Sequence, residues 1–312
     1  MSHHLGNSNI VLSRFILGTW LTVGDLITCK QLSSIVSLAN EYGINCIDTA
    51  DSYGFGETEI ALGKILKKHP KENFKILTKL YFSTNPDHNK PNGLSWKSIH
   101  KCTDDSLRRL GIECIDLQQA HRFDPQTPIE ETVSAMEELV KLGKIRYWGV
   151  SKWNNSSIEN AKKYGATHLV SRQELFNLFH QNSLLEHQNL TCKDAVGFLA
   201  YSPLARGVLT GKYNFAIPIN SRALSKKHGH TVYDLTYNKL KMVSLLSNLS
   251  ESLNISISQL VLAYYLHKKS ISSIIIGVSQ ISQLINNINS LNIILPEETI
   301  IAIDNIFYPT FS

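Results

Sequence analysis

Leu32-Ser33-Ser34-Ile35-Val36-Ser37-Leu38-Ala39-Asn40-Glu41-Tyr42-Gly43-Ile44-Asn45-Cys46-Ile47-Asp48 is the stretch from which the fold can be read. Leu32, Ile35, Val36 and Ala39 recur at the spacing of one helix face, and Gly43 marks the stop. An apolar run, 44–47, follows at once and ends in a carboxylate, Asp48. The same order returns along the chain. A helical pattern over 98–110 ends at Gly111, and 127–142, with Val133, Met136, Leu139 and Val140 on one face, ends at Gly143. Another over 158–164 ends at Gly165. Strands are expected over 15–18, 44–47, 74–78, 114–120, 145–150, 169–172, 196–200 and 273–276. Helix, glycine and apolar run in repetition are the signature of right-handed βαβ units. Strands buried on both faces read as unbroken apolar runs, as Ile274-Ile275-Ile276 does. Eight such units predict an α/β fold, a (β/α)8 TIM barrel; an open doubly wound sheet is the alternative. The length of 312 residues suits one barrel domain over 1–312.

Two segments break the rhythm. Residues 81–95 carry Pro86, Pro91 and Gly93, and 203–234 carry Gly207, Gly211, Pro218 and Gly229. Both follow strands, which places them at the face where catalytic loops gather, as binding loops or a lid. The tail 296–312 is expected to cap the barrel. A content of 43% hydrophobic and 18% charged residues fits a large core, and the net charge of +5 is spread too thinly for a nucleic-acid patch. Residues 1–9 lack the apolar core of a signal peptide, and no apolar run is long enough to span a bilayer. A cytoplasmic location without membrane insertion is therefore expected. Five cysteines without C-x-x-C spacing point to reduced thiols, not to a disulfide frame or a metal site. Cys46 and Cys114, inside apolar runs, are expected to be buried filler.

The chemistry is concentrated at strand ends. Asp48, Lys79 and His121 lie at or just beyond three of the runs, and Tyr53 lies in the turn after the first. Catalytic groups of a barrel gather at these ends. A phenol has a reference pKa of roughly 10 and is a weak acid at neutral pH. A nearby Lys79 ammonium favours the phenolate and makes Tyr53 a better donor, Asp48 holds Lys79 charged and aimed, and His121 hydrogen-bonds a substrate oxygen. Such a set protonates an oxygen that is gaining negative charge, as a carbonyl does on receiving a hydride. No side chain donates hydride, so a cofactor must. Gly54-Phe55-Gly56 opens like a dinucleotide fingerprint, but its third position is Glu59. Those glycines are better read as shaping the turn that presents Tyr53, with Glu57 and Glu59 in the first turn of the next helix, where the dipole favours acids. Trp20, Tyr81, Phe82, Trp96, Phe123 and Trp153 are candidates for an aromatic pocket wall. A barrel hydrolase or lyase is the reading that remains if no nucleotide binds.

At these residues the chain resembles the aldo-keto reductase family. The matching segments are Gly18-Thr19-Trp20, Ile47-Asp48-Thr49-Ala50-Asp51-Ser52-Tyr53-Gly54, Thr78-Lys79, His121-Arg122-Phe123-Asp124, Gly149-Val150-Ser151-Lys152-Trp153 and Gln173. Ala200-Tyr201-Ser202-Pro203-Leu204-Ala205-Arg206-Gly207 and Leu209-Thr210-Gly211-Lys212-Tyr213 complete it. Ser151-Lys152-Trp153 and the segment 217–222 are most similar to the branch of bacterial oxidoreductases and voltage-gated potassium channel β subunits. Channel subunits typically carry Asn where this chain has His121, which favours a working reductase over a cofactor-binding regulatory subunit. The resemblance implies NADPH, in preference to NADH, bound extended across the strand ends, and a small-molecule carbonyl substrate. It implies that Ser151 and Gln173 hold the carboxamide with Lys152 nearby, and that Tyr201 stacks on the nicotinamide. Ser202, Leu204, Gly207 and Lys212 would hold the pyrophosphate, and Gly277, Ser279, Gln283 and Asn287 the adenosine end. Gly18, Thr19, Trp20 and Asp48 join the cofactor residues. Gln280 departs from relatives that frequently carry Arg or Lys there, and 277–287 holds no cation. Arg222 is then the candidate for the 2′-phosphate. Association into a homo-oligomer stays open.

Overall fold

The apolar runs form the strands of a closed parallel barrel. The computed structural model describes residues 3–20, 27–85, 92–219, 221–224 and 235–308, with the side chains of Lys71 and Arg222 outside the description. The barrel strands are β1 (Phe15–Gly18), β2 (Cys46–Asp48), β3 (Lys75–Leu80), β4 (Ile115–Ala120), β5 (Ile145–Ser151), β6 (Leu169–Leu175), β7 (Gly197–Tyr201) and β8 (Ser273–Ile276). They neighbour one another in chain order, and β8 pairs back onto β1 to close the ring. Helices alternate with them: α1 (Cys29–Glu41), α2 (Glu57–Leu66), α3 (Trp96–Leu110), α4 (Ile129–Lys141), α5 (Asn155–Lys163) and α6 (Asn182–Gln188). Then come α7 (Tyr237–Ser252) and α8 (Ile257–His267) before β8, and α9 (Ile281–Asn289) and α10 (Glu297–Phe307) after it. This is the (β/α)8 barrel that the sequence predicts. Several strands run a few residues past their expected ends, which puts Lys79 and Gln173 inside strands.

The described residues within Met1–Glu174, Asn182–Tyr201 and Ser270–Ile281 form one compact unit, which contains the ring of strands. Its interior is set by the two-residue period of strands. Ile16, Cys46, Leu77, Leu117, Leu199 and Ile275 meet in one buried cluster with Leu5, Ile10 and Leu12. Two residues further along the same strands stand Gly18, Asp48, Lys79, Gln119, Tyr201 and Gly277, so the inward row beyond the apolar layer carries the polar groups. Leu5, Ile10 and Leu12 come from a small antiparallel hairpin, His3–His4 with Val11–Leu12, which the sequence reading missed. The amide of Asn7 donates to the Ala195 carbonyl at 3.1 Å, just before β7, so the hairpin closes the end where strands begin. A second buried layer, with Ile99, Met136, Leu139, Trp148, Trp153 and Ile158, lies between β3–β6 and helices α3–α5.

The structure corrects three further expectations. Strand β4 is buried throughout although it contains Asp116, Gln118 and Gln119, so it is not an unbroken apolar run. Cys46 is buried, but Cys114 precedes β4 and is only half-buried. Of the tail 296–312, Glu297–Phe307 folds as helix α10, an element the sequence reading did not place.

The described residues within Leu175–Gln181, Ser202–Lys269 and Ser282–Ser312 form a second compact unit. Within it the Tyr264 hydroxyl of α8 donates to Asp304 of α10. The Tyr265 hydroxyl accepts from the Leu178 amide at 2.8 Å and donates to the Pro203 carbonyl at 3.2 Å. Phe179 meets Phe307 edge-on at 5.5 Å between ring centroids. Among the described residues no helix is long and apolar enough to cross a membrane, and no group of three or more His, Cys, Asp or Glu could hold a metal ion.

Candidate active site

Lys79 is the hub of the polar groups at the strand ends. Its Nζ donates to Asp48 Oδ2 at 2.7 Å, to the Thr49 carbonyl at 2.7 Å and to the Tyr53 hydroxyl at 3.3 Å. It is almost wholly buried, with 1% of its surface exposed. A buried ammonium is tolerated because it is paired and its protons are used. Burial works against its charge, but Asp48 and Tyr53 outweigh that and hold its pKa above the usual lysine value. Asp48 Oδ1 accepts from Gln173 Nε2 at 2.7 Å, so the carboxylate is fixed from both sides. Thr19 also donates, through its hydroxyl, to the Asp48 carbonyl at 3.0 Å.

Tyr53 opens a tight turn, Tyr53–Gly56, that passes through left-handed conformations at Gly54, Phe55 and Gly56 before α2 begins. Its ring lies edge-on to His121, 6.1 Å between centroids. The structure corrects one inference about its acidity. Lys79 does favour the phenolate, but burial is the larger effect and the Tyr53 pKa is raised, not lowered. The phenol therefore keeps its proton well into the alkaline range. His121 follows β4, and its amide donates to the Leu80 carbonyl at 2.9 Å. Burial first, then the cations Lys79, Arg122 and Lys152, push its pKa well below the usual histidine value, so the ring is a neutral imidazole at neutral pH. Among the described residues its buried Nδ1 has no hydrogen-bond partner.

Two buried ionic networks stand behind these groups, and the sequence reading did not foresee either. Glu59, read as a helix-dipole acid in the first turn of α2, is fully buried. It accepts from Thr78 at 2.5 Å, Ser106 at 3.2 Å and the Arg109 Nε at 2.8 Å, tying α2 and α3 to the strand that carries Lys79. Asp51, two residues before Tyr53, is held well above the usual carboxylate range by burial and then by the Glu59 charge. On the other side of the ring, Arg172 Nη1 donates to Asn155 at 2.8 Å, and Nη2 donates to the Trp153 carbonyl at 3.2 Å and to Glu174 at 3.3 Å. Glu174 Oε1 in turn accepts the Lys152 amide at 3.0 Å, at a residue with φ of 57°. This set holds the Ser151-Lys152-Trp153 corner. Neither network carries a sequence signal beyond a charged residue in a buried strand or helix.

Ser151 ends β5, beside Gln173 of β6 in the strand register. Because Gln173 Nε2 is committed to Asp48, its Oε1 has no partner among the described residues and can accept from a carboxamide. Tyr201 ends β7 and is half-buried. Gly277 directly follows β8 and is exposed, and Ser279 is half-buried.

In the second unit the chain from Ser202 to Gly211 turns through left-handed conformations at Ser202, Ala205, Arg206, Gly207 and Gly211. Backbones of this kind form concave anion cradles. The Lys212 side chain folds back on Gly207, where a Cβ would stand 2.9 Å from its Nζ. Gly207, with φ of 98°, is thus favoured by conformation, since the end of the Lys212 side chain could move aside but the backbone could not. Leu204 precedes this turn. Gln283 is exposed on α9, and Asn287 is buried there. Of the segment 203–234, residues 220 and 225–234 lie outside the described residues, as do 86–91 of the loop 81–95 and 309–312 of the tail. The Arg222 side chain also lies outside them, and only its backbone, in the turn Arg222–Leu224, is described.

The aromatic candidates divide. Phe82 meets His121 at 5.1 Å and Tyr81 at 5.1 Å between centroids, and Trp20 is partly exposed after β1. Trp153 is buried and packs with Phe123 at 5.2 Å, outside the ring of strands. Trp96 is not a pocket residue. It is 44% exposed on α3, stacks on His100 and donates to Glu138 of α4 at 2.7 Å.

The family model described as the Aldo/keto reductase family matches residues 14–307. Among solved structures, a thermostable aldo-keto reductase in complex with the inhibitor epalrestat is 26% identical in sequence. The match covers 98% of this chain and 99% of that one, with a TM-score of 0.77.

Proposed function

We propose, from the premise that this chain belongs to the aldo/keto reductase family, that it is an NADPH-dependent oxidoreductase reducing a small aldehyde or ketone to an alcohol. The observation that carries the reading is the Lys79 ammonium seated between the Asp48 carboxylate and the Tyr53 hydroxyl. When bound, the nicotinamide supplies the hydride. The chain does the rest. Tyr53 is the general acid: it holds its proton until the carbonyl oxygen gains charge, then gives it up. Lys79 stabilises the phenolate that remains, and Asp48 keeps Lys79 charged and aimed. The neutral His121 imidazole orients the carbonyl by a hydrogen bond.

Several features favour a nicotinamide dinucleotide. Gln173 Oε1 and Ser151 fit the carboxamide, with Lys152 nearby, and Tyr201 offers a ring for stacking. Gly18, Thr19 and Trp20, at the end of β1, would lie along it. In the second unit, Ser202, Leu204, Gly207 and Lys212 form a cradle suited to a pyrophosphate. Gly277 and Ser279 of the first unit and Gln283 and Asn287 of the second are assigned the adenosine end. Arg222 is assigned the 2′-phosphate and with it the preference for NADPH over NADH. We place the reaction in the cytoplasm.

The test is reduction of 4-nitrobenzaldehyde by wild type and Tyr53→Phe, with NADPH binding followed by fluorescence. Loss of a general acid lowers kcat by about 10²–10⁴-fold, while dinucleotide affinity stays close to wild type. Near-normal kcat in the variant removes Tyr53 from the role. Tight NADPH binding by a wild type that turns over no carbonyl points instead to a regulatory subunit.

A further inference from the structure

Arg122 directly follows His121, and its place is hard to explain by folding alone. Its guanidinium lies over the Phe82 ring, 5.5 Å from the centroid, and the same ring meets His121 edge-on at 5.1 Å. His121 in turn faces Tyr53. The guanidinium is thus one aromatic ring removed from the group that orients the carbonyl. It is half-buried, and its Nη1 donates to the His121 carbonyl at 3.2 Å. A guanidinium has five N–H donors in a planar fork, so most of its capacity is unspent.

No carboxylate among the described residues pairs with it. Asp124, the nearest acid in sequence, is turned to other partners: it accepts from the Leu94 amide at 2.8 Å, the Thr127 hydroxyl at 2.7 Å and the Gln126 amide at 3.0 Å. The Lys79 charge is balanced by Asp48, and the Glu174 carboxylate is shared between Arg172 and the Lys152 amide. Arg122 is one of the cations that act on the imidazole. A half-buried guanidinium without a carboxylate partner among the described residues keeps water on its remaining N–H groups, and an anion can take that place. The planar fork suits a carboxylate or a phosphate.

We propose, resting on the reductase reading above, that the carbonyl site takes substrates that carry an anionic group and that Arg122 receives this group while Tyr53 and His121 hold the carbonyl oxygen. Arg122 is then a specificity-determining residue. It binds the far end of the substrate and does not act on the reacting bond.

The experiment compares paired substrates in wild type, Arg122→Met and Arg122→Lys. The carboxylate pair is 4-carboxybenzaldehyde and its neutral analogue 4-nitrobenzaldehyde. The phosphate pair is glyceraldehyde 3-phosphate and glyceraldehyde. A charge-assisted contact is expected to make kcat/KM in Arg122→Met fall about tenfold or more further for the anionic member of at least one pair than for its neutral partner. Which pair responds identifies the anion, and Arg122→Lys is expected to keep part of the preference. Equal losses on both members of both pairs overturn the proposal and make Arg122 a structural partner of Phe82, while the reductase reading stands. Calorimetric titration with 4-(hydroxymethyl)benzoate and 4-nitrobenzyl alcohol separates the two ideas further. If no aldehyde is reduced yet the benzoate binds in an Arg122-dependent way, the anion site stands and the reductase reading falls. If nothing is reduced and the benzoate binds no better than the neutral alcohol, both fall.

Discussion

Tyr53 shows how far a residue's chemistry depends on what surrounds it. From the chain alone, a lysine near a tyrosine implies an acidified phenol. In the folded protein burial outweighs the lysine, so Tyr53 holds its proton above its usual range and Lys79 does the same. The pH profile follows in sign. Both groups carry their protons throughout the neutral range, and His121 is neutral there because its pKa is depressed. We therefore expect kcat for reduction of a neutral aldehyde at saturating cofactor to stay flat from about pH 7 to about pH 10 and to fall above it. A decline that begins near neutrality would show that Lys79 dominates after all. Arg222 carries the second expectation at this scale. Arg222→Ala should weaken NADPH about 10–100-fold more than NADH, because only the former has the 2′-phosphate. Equal losses in fluorescence titrations would assign Arg222 to the pyrophosphate.

At the scale of elements, the strand that carries Lys79 depends on helices packed behind it. Helix α2 approaches α3 so closely that a Cβ on Gly63 would stand 2.6 Å from the Arg109 carbonyl. A glycine inside a helix costs about 1 kcal/mol relative to alanine, and this close approach is the reason it is there. The contact brings Glu59 and Arg109, 50 residues apart, into an ion pair beneath Thr78, with the carboxylate fully buried and the guanidinium half-buried. Removing one partner leaves the other charge buried and uncompensated. Arg109→Met should destabilise the protein by about 3–5 kcal/mol, and adding Glu59→Gln should recover part of that loss. Urea unfolding of both variants measures it, and a double variant no more stable than the single would mean that Glu59 draws its stability from Thr78 and Ser106 alone. The helices themselves were legible because their apolar faces and glycine stops are local. The pair was not, since no local pattern connects α2 with α3.

For the molecule as a whole, buried histidines make stability depend on pH. His187 is nearly inaccessible, 5.2 Å from the Phe198 ring, and its pKa is lowered to about 4 by burial, then by Arg172 and Lys193. Between that value and the unfolded value of about 6.5 the unfolded chain binds a proton that the folded chain refuses, so the contribution is lost as pH falls through this window. It amounts to roughly 3 kcal/mol at full extent. Relative to His187→Gln, wild type should therefore lose stability on going from pH 7 to pH 4, read from unfolding midpoints in urea. A constant difference between the two proteins across that range would place the titration elsewhere.

The sequence by itself determined the eight barrel strands in their order, the barrel as the favoured fold, and the positions of Asp48, Tyr53, Lys79 and His121 at or just past strand ends. These follow from short-range periodicity, and a two-residue strand period fixes which side chains face inward once the apolar ones are placed. Tertiary structure alone decided that the N-terminal hairpin plugs the barrel, that Trp96 belongs to the surface, and that Glu59, Arg172 and Glu174 hold the site from behind. It alone decided the direction in which the Tyr53 proton affinity moves. Burial and charge pairing are sums over neighbours distant in the chain, and no window of sequence contains those sums.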